Sequence, residues 1–373
     1  MKVVFSGDIF LGGDLTDKPT EDIIQVPEFH DADVRLINLE HPIGEAQEVD
    51  KKKSTLYAGL HSLDQLKQLK IDAVGLANNH IQDLGIKGIN NTIDLLAENE
   101  IGVFGAGNNI DQASKPYWIN DKYAVLGYCD YGQDYLKQVQ VADACTPGVV
   151  PLRYEQILKD LKCIKKGKQA ILFFHWGREH VSLPPHKDIV LAKKLLKDGR
   201  IAAIVGMHAH RIQGTVTVKG KKAYMCLGNF IFPNFYMEPP VQICYPNKIS
   251  NNIPVTRQYH KVFGLTYKKW KRVNRESILL QLQISDDRLN WKEIPVFQKD
   301  EDPKIYKLKG LCLMKFRLKQ LTLSALYNLP MYRLLYALNA RISVLIWNAG
   351  VLLFRIKAKG MLKTIRFVIN KIK

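Results

Sequence analysis

The sequence predicts an α/β fold built on a largely parallel sheet. Three observations lead there: short runs of Val, Ile and Phe recur, amphipathic helical stretches fall between them, and polar residues gather where the runs end. The runs, in order, are residues 3–6, 34–38, 73–76, 103–104, 124–128, 170–174, 202–205 and 224–227. The helical stretches are residues 63–69, 89–98, 154–164 and 189–197. After Pro233 the alternation stops. Residues 233–254, rich in Pro and Asn, read as a long loop, and residues 262–270, 278–285 and 291–296 alternate apolar and polar as closing strands.

Size and composition exclude other classes. The chain has 373 residues, 46% of them hydrophobic and 24% charged, which suits a globular protein with a sizeable core. It contains no run of 18 apolar residues, so no conventional transmembrane helix is expected. Residues 1–8 lack the apolar stretch and small-residue site of a signal peptide. The six cysteines, Cys129, Cys145, Cys163, Cys226, Cys244 and Cys312, form no C-x-x-C pair, which suits free thiols in a reducing, cytoplasmic setting.

The formal charge of +18 is unevenly spread. No Asp or Glu follows Asp302, whereas residues 304–373 hold fifteen Lys or Arg; residues 1–303 keep 39 basic and 36 acidic residues, a net of +3. A near-neutral body, residues 1–303, and a basic helical tail, residues 304–373, are therefore expected.

Five of the runs end in metal-binding residue types. They lead into Gly7-Asp8, Asn38-Leu39-Glu40, Asn78-Asn79-His80, His175 through Glu179 and His180, and His208-Ala209-His210. In an open parallel sheet that edge is the ligand-binding edge. Asp, Glu, Asn and neutral His suit Mn, Fe or Zn, a carboxylate can bridge two ions, and a His-x-His turn can serve both. Two such ions suit phosphate-ester hydrolysis. Taken singly, Gly7-Asp8 reads as a turn, Asn79 as a cap of the following helix, and His175 as a core histidine. The combination favours a site. The chain has no complete dinucleotide loop, P-loop or G-x-S-x-G elbow.

The ordered segments G-D-I-F-L-G-G-D, N-L-E-H-P-I, A-N-N-H-I-Q-D-L-G, G-A-G-N-N, H-W-G-R-E, G-M-H-A-H-R-I-Q-G and L-G-N-F-I-F resemble the CapA family of bacterial capsule and poly-γ-glutamate biosynthesis proteins over residues 1–235. That family is similar in fold to calcineurin-like metallophosphoesterases. The resemblance implies a four-layer α/β/β/α sandwich and one or two divalent ions (Mn, Fe or Zn) held by Asp8, Glu40, Asn79, His175, His208 and His210. It implies that His80 faces the substrate and protonates the leaving group. Asp83 and Glu179 would support it by fixing an imidazole tautomer or an arginine. Arg178 and Arg211 read as contacts to an anionic substrate or as plain surface arginines. Two departures stand out. Phe10 replaces the histidine of the phosphoesterase D-x-H, with Asp14 as a substitute ligand, and the last segment reads Gly206-Met207-His208-Ala209-His210 without the usual extra His and Pro.

The expected function is that of a metal-dependent phosphoesterase-like hydrolase in capsule or surface-polysaccharide production. The rival is a non-catalytic metal-binding scaffold for a polymer synthase. The tail reads as helices broken at Pro330, Gly350 and Gly360. Met361, Leu362, Ile365, Val368, Ile369 and Ile372 lie on one face of its last stretch, opposite Lys363, Arg366, Asn370 and Lys373. Residues 342–354, thirteen between Arg341 and Arg355, are too few to span a bilayer. An anionic membrane surface at the inner face of the cytoplasmic membrane is the expected partner, ahead of packing on the body or a protein partner, with no nucleic acid.

Overall fold

The computed structural model describes residues 1–45, 55–130, 139–237, 265–285 and 288–363 together with Ile365 and Ile369. Mixed α/β structure is observed, with two large sheets among the described residues. In the nine-stranded sheet the order is Ile24–Gln25, Ile305–Lys307, Arg288–Gln298, Glu276–Ser285, Lys2–Ile9, Val34–Leu39, Ala73–Gly75 and Gly102–Phe104, with Asn229–Ile231 joined to Lys2–Ile9. The six-stranded sheet runs Thr215–Val218, Lys221–Tyr224, Ile201–Met207, Gln169–His175, Tyr123–Cys129 and Tyr117–Trp118. The N-terminal half of the first sheet and the centre of the second are parallel, so their strand C-termini share a direction.

Alternation along the strands assigns their faces. Phe5, Leu36 and Ala73 of the larger sheet share one core with Val125, Phe173 and Val205 of the smaller. Val4, Ile37 and Val74 turn the other way, onto Leu63 and Leu66 of helix His61–Gln68 and Ile89, Ile93 and Leu96 of helix Gly85–Glu98. Leu126, Leu172 and Ile204 pack on Ile157 of helix Tyr154–Asp160 and on Ile189 and Leu195 of helix His186–Leu195. Each fully buried Leu, Ile or Phe contributes roughly 1.5–3 kcal/mol.

Several expectations are corrected. The strand expected over 224–227 is Lys221–Tyr224. Beyond it the chain turns off the ladder, Met225 N–H donating to Gly214 O and Leu227 N–H to Gly206 O. Gly7-Asp8 is no turn but lies inside strand Lys2–Ile9, at a register shift between Phe5 and Asp8. Within the expected 233–254 loop, Phe235–Met237 pairs antiparallel with Thr266–Lys268; residues 238–254 and 262–264 lie outside the described residues. The strand expected over 262–270 is thereby reduced to Thr266–Lys268.

The C-terminal residues form helices Gly310–Leu326 and Tyr332–Lys359. Pro330 and Gly360 interrupt them as expected, but Gly350 lies inside the second helix, since one glycine costs only about 1 kcal/mol among Ala and Leu neighbours. The first helix packs on the body. Phe316, Leu323, Tyr327 and Tyr332 are buried, Tyr327 Oη accepts from Gly214 N–H at 2.7 Å, and Tyr332 Oη donates to Pro184 O at 2.6 Å. No helix among the described residues is long and apolar enough to cross a membrane.

Candidate metal centre

The centre forms where parallel strands from both sheets end. Asp8 reaches it because of the irregularity in the first strand. Up to Phe5 that strand pairs antiparallel with Glu276–Ser285; from Asp8 it pairs parallel with Asn229–Ile231. Gly7 permits the switch, as a Cβ there would lie 1.7 Å from Gly228 O. Glu40 follows strand Val34–Leu39, His175 closes strand Gln169–His175, and His208 and His210 follow strand Ile201–Met207. All five side chains are buried.

Two triads of donor atoms result, Glu40/His175/His208 and Asp8/Glu40/His210, each with its atoms within 4.8 Å of one another. Glu40 belongs to both. Its Oε1 lies 3.6 Å from His175 Nε2 and 3.7 Å from His210 Nε2. The rings of His175 and His208 are 4.4 Å apart between centroids. Asn79 Oδ1 lies 2.7 Å from His175 Nε2. Asn78 fixes this turn, donating to Leu39 O and accepting from His80 N–H. The helix-capping role open to Asn79 is not found, because the helix starts at Gly85 with Leu84 before it and no side-chain cap.

Burial dominates the electrostatics. It raises the Asp8 carboxyl to about 7, against hydrogen bonds from Asn38 Nδ2 (2.8 Å) and the His208 amide (3.2 Å), with Glu179 adding to the rise. It lowers His210 to about 3, against the hydrogen bond to Asn229. The 3.6 Å contact between His210 Nδ1 and Asp8 is therefore not an ion pair at neutral pH.

These features fit a cation. His210 Nδ1–H donates to Asn229 Oδ1 at 2.8 Å, which leaves the Nε2 lone pair facing the Glu40 oxygen. Two electron-rich atoms so placed in a buried pocket repel unless positive charge lies nearby. The donor set is that of borderline divalent ions, with no thiolate. His180, His208 and His210 also have positive φ values of 59°, 89° and 50°, strained conformations that tend to gather at functional sites.

The remaining candidates fall outside the two triads. His80 Nδ1 is 2.6 Å from Asp83 Oδ2, which also accepts from Leu56 N–H at 2.7 Å. Glu179 is buried and lies 3.8 Å from His180 Nε2. Arg178 hydrogen-bonds the Tyr336 hydroxyl on the second C-terminal helix. Arg211 is partly buried, its Nε enclosed without a hydrogen-bond partner among the described residues. Phe10 is buried in an apolar cluster with Leu56, Phe232, Phe235, Met237 and Trp270. Asp14 does not join the donor atoms but accepts from Tyr267 Oη.

Sequence reasoning assigned no role to five contributors. Asn38 links Asp8 to His175, whose Nδ1 is 3.5 Å away, and Asn229 orients His210. Both sit at the polar end of an apolar run, a readable signal. His180 packs against His210 with ring centroids 5.5 Å apart, and Trp270 with centroids 5.4 Å apart. Lys268 Nζ lies 4.8 Å from the Trp270 ring, and burial lowers this lysine to about 8. Trp270 and Lys268 carry no local signal, because the pairing with Phe235–Met237 brings them here.

Several known proteins are similar to this chain in sequence. The chain is 28% identical over 243 residues to the PGA biosynthesis protein CapA of Bacillus subtilis (strain 168), covering 61% of this chain and 62% of that one. It is 28% identical over 208 residues to the capsule biosynthesis protein CapA of Bacillus anthracis, covering 52% and 49%. It is 26% identical over 229 residues to a probable polyglutamine synthesis accessory protein of Mycobacterium tuberculosis (strain CDC 1551 / Oshkosh), covering 57% and 59%. The chain thus spans about half to three-fifths of the length of these relatives. The model of the bacterial capsule synthesis protein PGA_cap family matches residues 2–234, a stretch that contains both donor triads, and the chain belongs to that family.

Proposed function

We propose that this protein is a metal-dependent phosphoesterase-like hydrolase acting on a phosphate-containing or other anionic substrate in capsule or surface-polymer production. The observation that carries the reading is Glu40, shared by two buried donor triads. In this reading the two sheets and their helices form a four-layer α/β/β/α sandwich of the metallo-dependent phosphatase type. Asp8, Glu40, Asn79, His175, His208 and His210 hold one or two ions of Mn, Fe or Zn. Bound there, divalent ions supply Lewis-acid polarisation and lower the pKa of water.

The chain's own residues do the rest. Asp83 accepts from His80 Nδ1, fixing the ring so that Nε2 is the atom that holds and delivers a proton to the leaving oxygen. Asn38 and Asn229 hold Asp8 and His210 in place. Arg211 and Lys268 supply positive charge for an anion, and Glu179 lies close enough to Asp8 and Lys268 to influence both. Arg178, engaged with Tyr336, would have to leave that contact to reach a substrate.

Phe10 favours a second reading, a metal-binding scaffold that recruits a polymer synthase without turnover. Phosphatase assays on the purified protein loaded with Mn, Fe or Zn, using an aryl phosphate, separate the two. Hydrolysis lost in His80→Asn supports the enzyme. Absence of hydrolysis, with His80→Asn restoring polymer production in cells that lack the protein, supports the scaffold.

A further inference from the structure

The C-terminal helices carry apolar residues that no other described residue covers. In helix Gly310–Leu326 the residues Phe316, Gln320 and Leu323 face the body, spaced i, i+4 and i+7, and Tyr327 continues that face. Gly214 receives the helix closely, since a Cβ on it would lie 2.6 Å from Ser324 N, and Ser324 Oγ accepts from Thr215 N–H at 2.8 Å. The opposite face holds Leu311, Met314, Leu318 and Leu321, spaced i, i+3, i+7 and i+10 and each exposed by 66% or more. Helix Tyr332–Lys359 continues the pattern with Leu334, Leu338, Ile342, Leu345 and Ile346, all exposed. A stripe of this extent is far from the isolated surface leucines of an ordinary soluble helix.

Charge selects the occupant. Lys315, Arg317, Arg333 and Arg341 are exposed and flank the stripes, and residues 304–373 contain fifteen cations and no carboxylate side chain. A second copy would bring fifteen further cations to the same surface, and a nucleic acid would leave the leucines in water. An anionic bilayer takes both features, the stripes entering the acyl boundary and the cations reaching the headgroups. We propose that the exposed faces of helices Gly310–Leu326 and Tyr332–Lys359 form one interfacial docking surface for anionic lipid, held on the body through Phe316, Leu323, Tyr327 and Tyr332. This surface lies outside residues 2–234, so it does not depend on the metal centre's chemistry.

Flotation of the full chain with vesicles tests it. Vesicles of phosphatidylcholine alone are compared with vesicles that also contain phosphatidylglycerol. The wild-type protein should partition at least about tenfold more strongly onto the anionic vesicles. The quadruple variant Leu318→Gln/Leu321→Gln/Leu338→Gln/Leu345→Gln should lose at least about tenfold of that binding. The variant Lys315→Gln/Arg317→Gln/Arg333→Gln/Arg341→Gln should lose most of the anionic preference. All eight side chains are exposed, so melting temperature should stay near wild type in both variants. Failure of the wild-type protein to float, undiminished flotation of the leucine variant, or a stable dimer that this variant dissolves would overturn the proposal.

Discussion

Glu40 is the residue on which the centre turns, because its Oε1 faces His175 Nε2 at 3.6 Å and His210 Nε2 at 3.7 Å. Glu40→Gln keeps the shape and removes the charge, so metal content should fall sharply while the melting profile persists; elemental analysis beside a thermal melt checks this. His80→Asn should behave in the opposite way. His80 lies outside both donor triads, so metal content should stay at the wild-type level while any hydrolytic rate falls by roughly 10²–10⁴-fold, measured by steady-state assay. Asp8, Glu40, His175, His208 and His210 were legible as candidates because each follows or ends an apolar run, and strand ends converge in a parallel sheet. Asn38 and Asn229 were legible only as parts of their segments. Their hydrogen bonds reach 30 and 19 residues along the chain and depend on strand register. Nothing local marks Trp270, whose place follows from the Phe235–Met237 pairing.

At the scale of elements, the irregularity in strand Lys2–Ile9 couples fold to site. Gly7→Ala would drive a Cβ to 1.7 Å from Gly228 O, so the strands must part; a loss of roughly 1–3 kcal/mol by denaturant melt, with reduced metal retention, is expected. Helix His186–Leu195 offers a test by pH. Asp188 is buried, burial raises its carboxyl from 3.8 to about 7, Lys187 opposes the rise and Asp130 adds to it. Between those values the native state keeps a proton that the unfolded chain releases. The group's contribution to stability is therefore complete below 3.8 and drains away as pH rises through about 7. Asp188→Asn does not titrate, so its melting temperature relative to wild type should climb from about pH 5 to about pH 8; a difference that stays flat or falls would contradict the assignment. The parallel strands were legible because buried strands read as continuous apolar runs. The end of the strand over 221–224 was not, because residues 225–227 stay apolar after leaving the ladder. The passage of helix Tyr332–Lys359 through Gly350 was missed because a glycine only weakens a helix.

Across the whole molecule, the family region and the folded body differ in extent. Residues 2–234 contain the donor triads, yet strand Glu276–Ser285 lies directly against Lys2–Phe5 and contributes Ile278, Leu280 and Leu282 to the core between the sheets. A chain cut after residue 234 should therefore fail to fold, as judged by circular dichroism and solubility. The uneven charge was legible from the sequence, whereas the packing of helix Gly310–Leu326 on Gly214 was hidden because that helix is apolar on two opposite faces. The central claim is that the strand ends form a metal centre, and elemental analysis of the purified full chain after incubation with Mn, Fe and Zn tests it most directly. About one to two divalent ions per chain, lost in His208→Ala/His210→Ala, is the predicted result; a folded wild-type protein that stays free of metal in all three would contradict it.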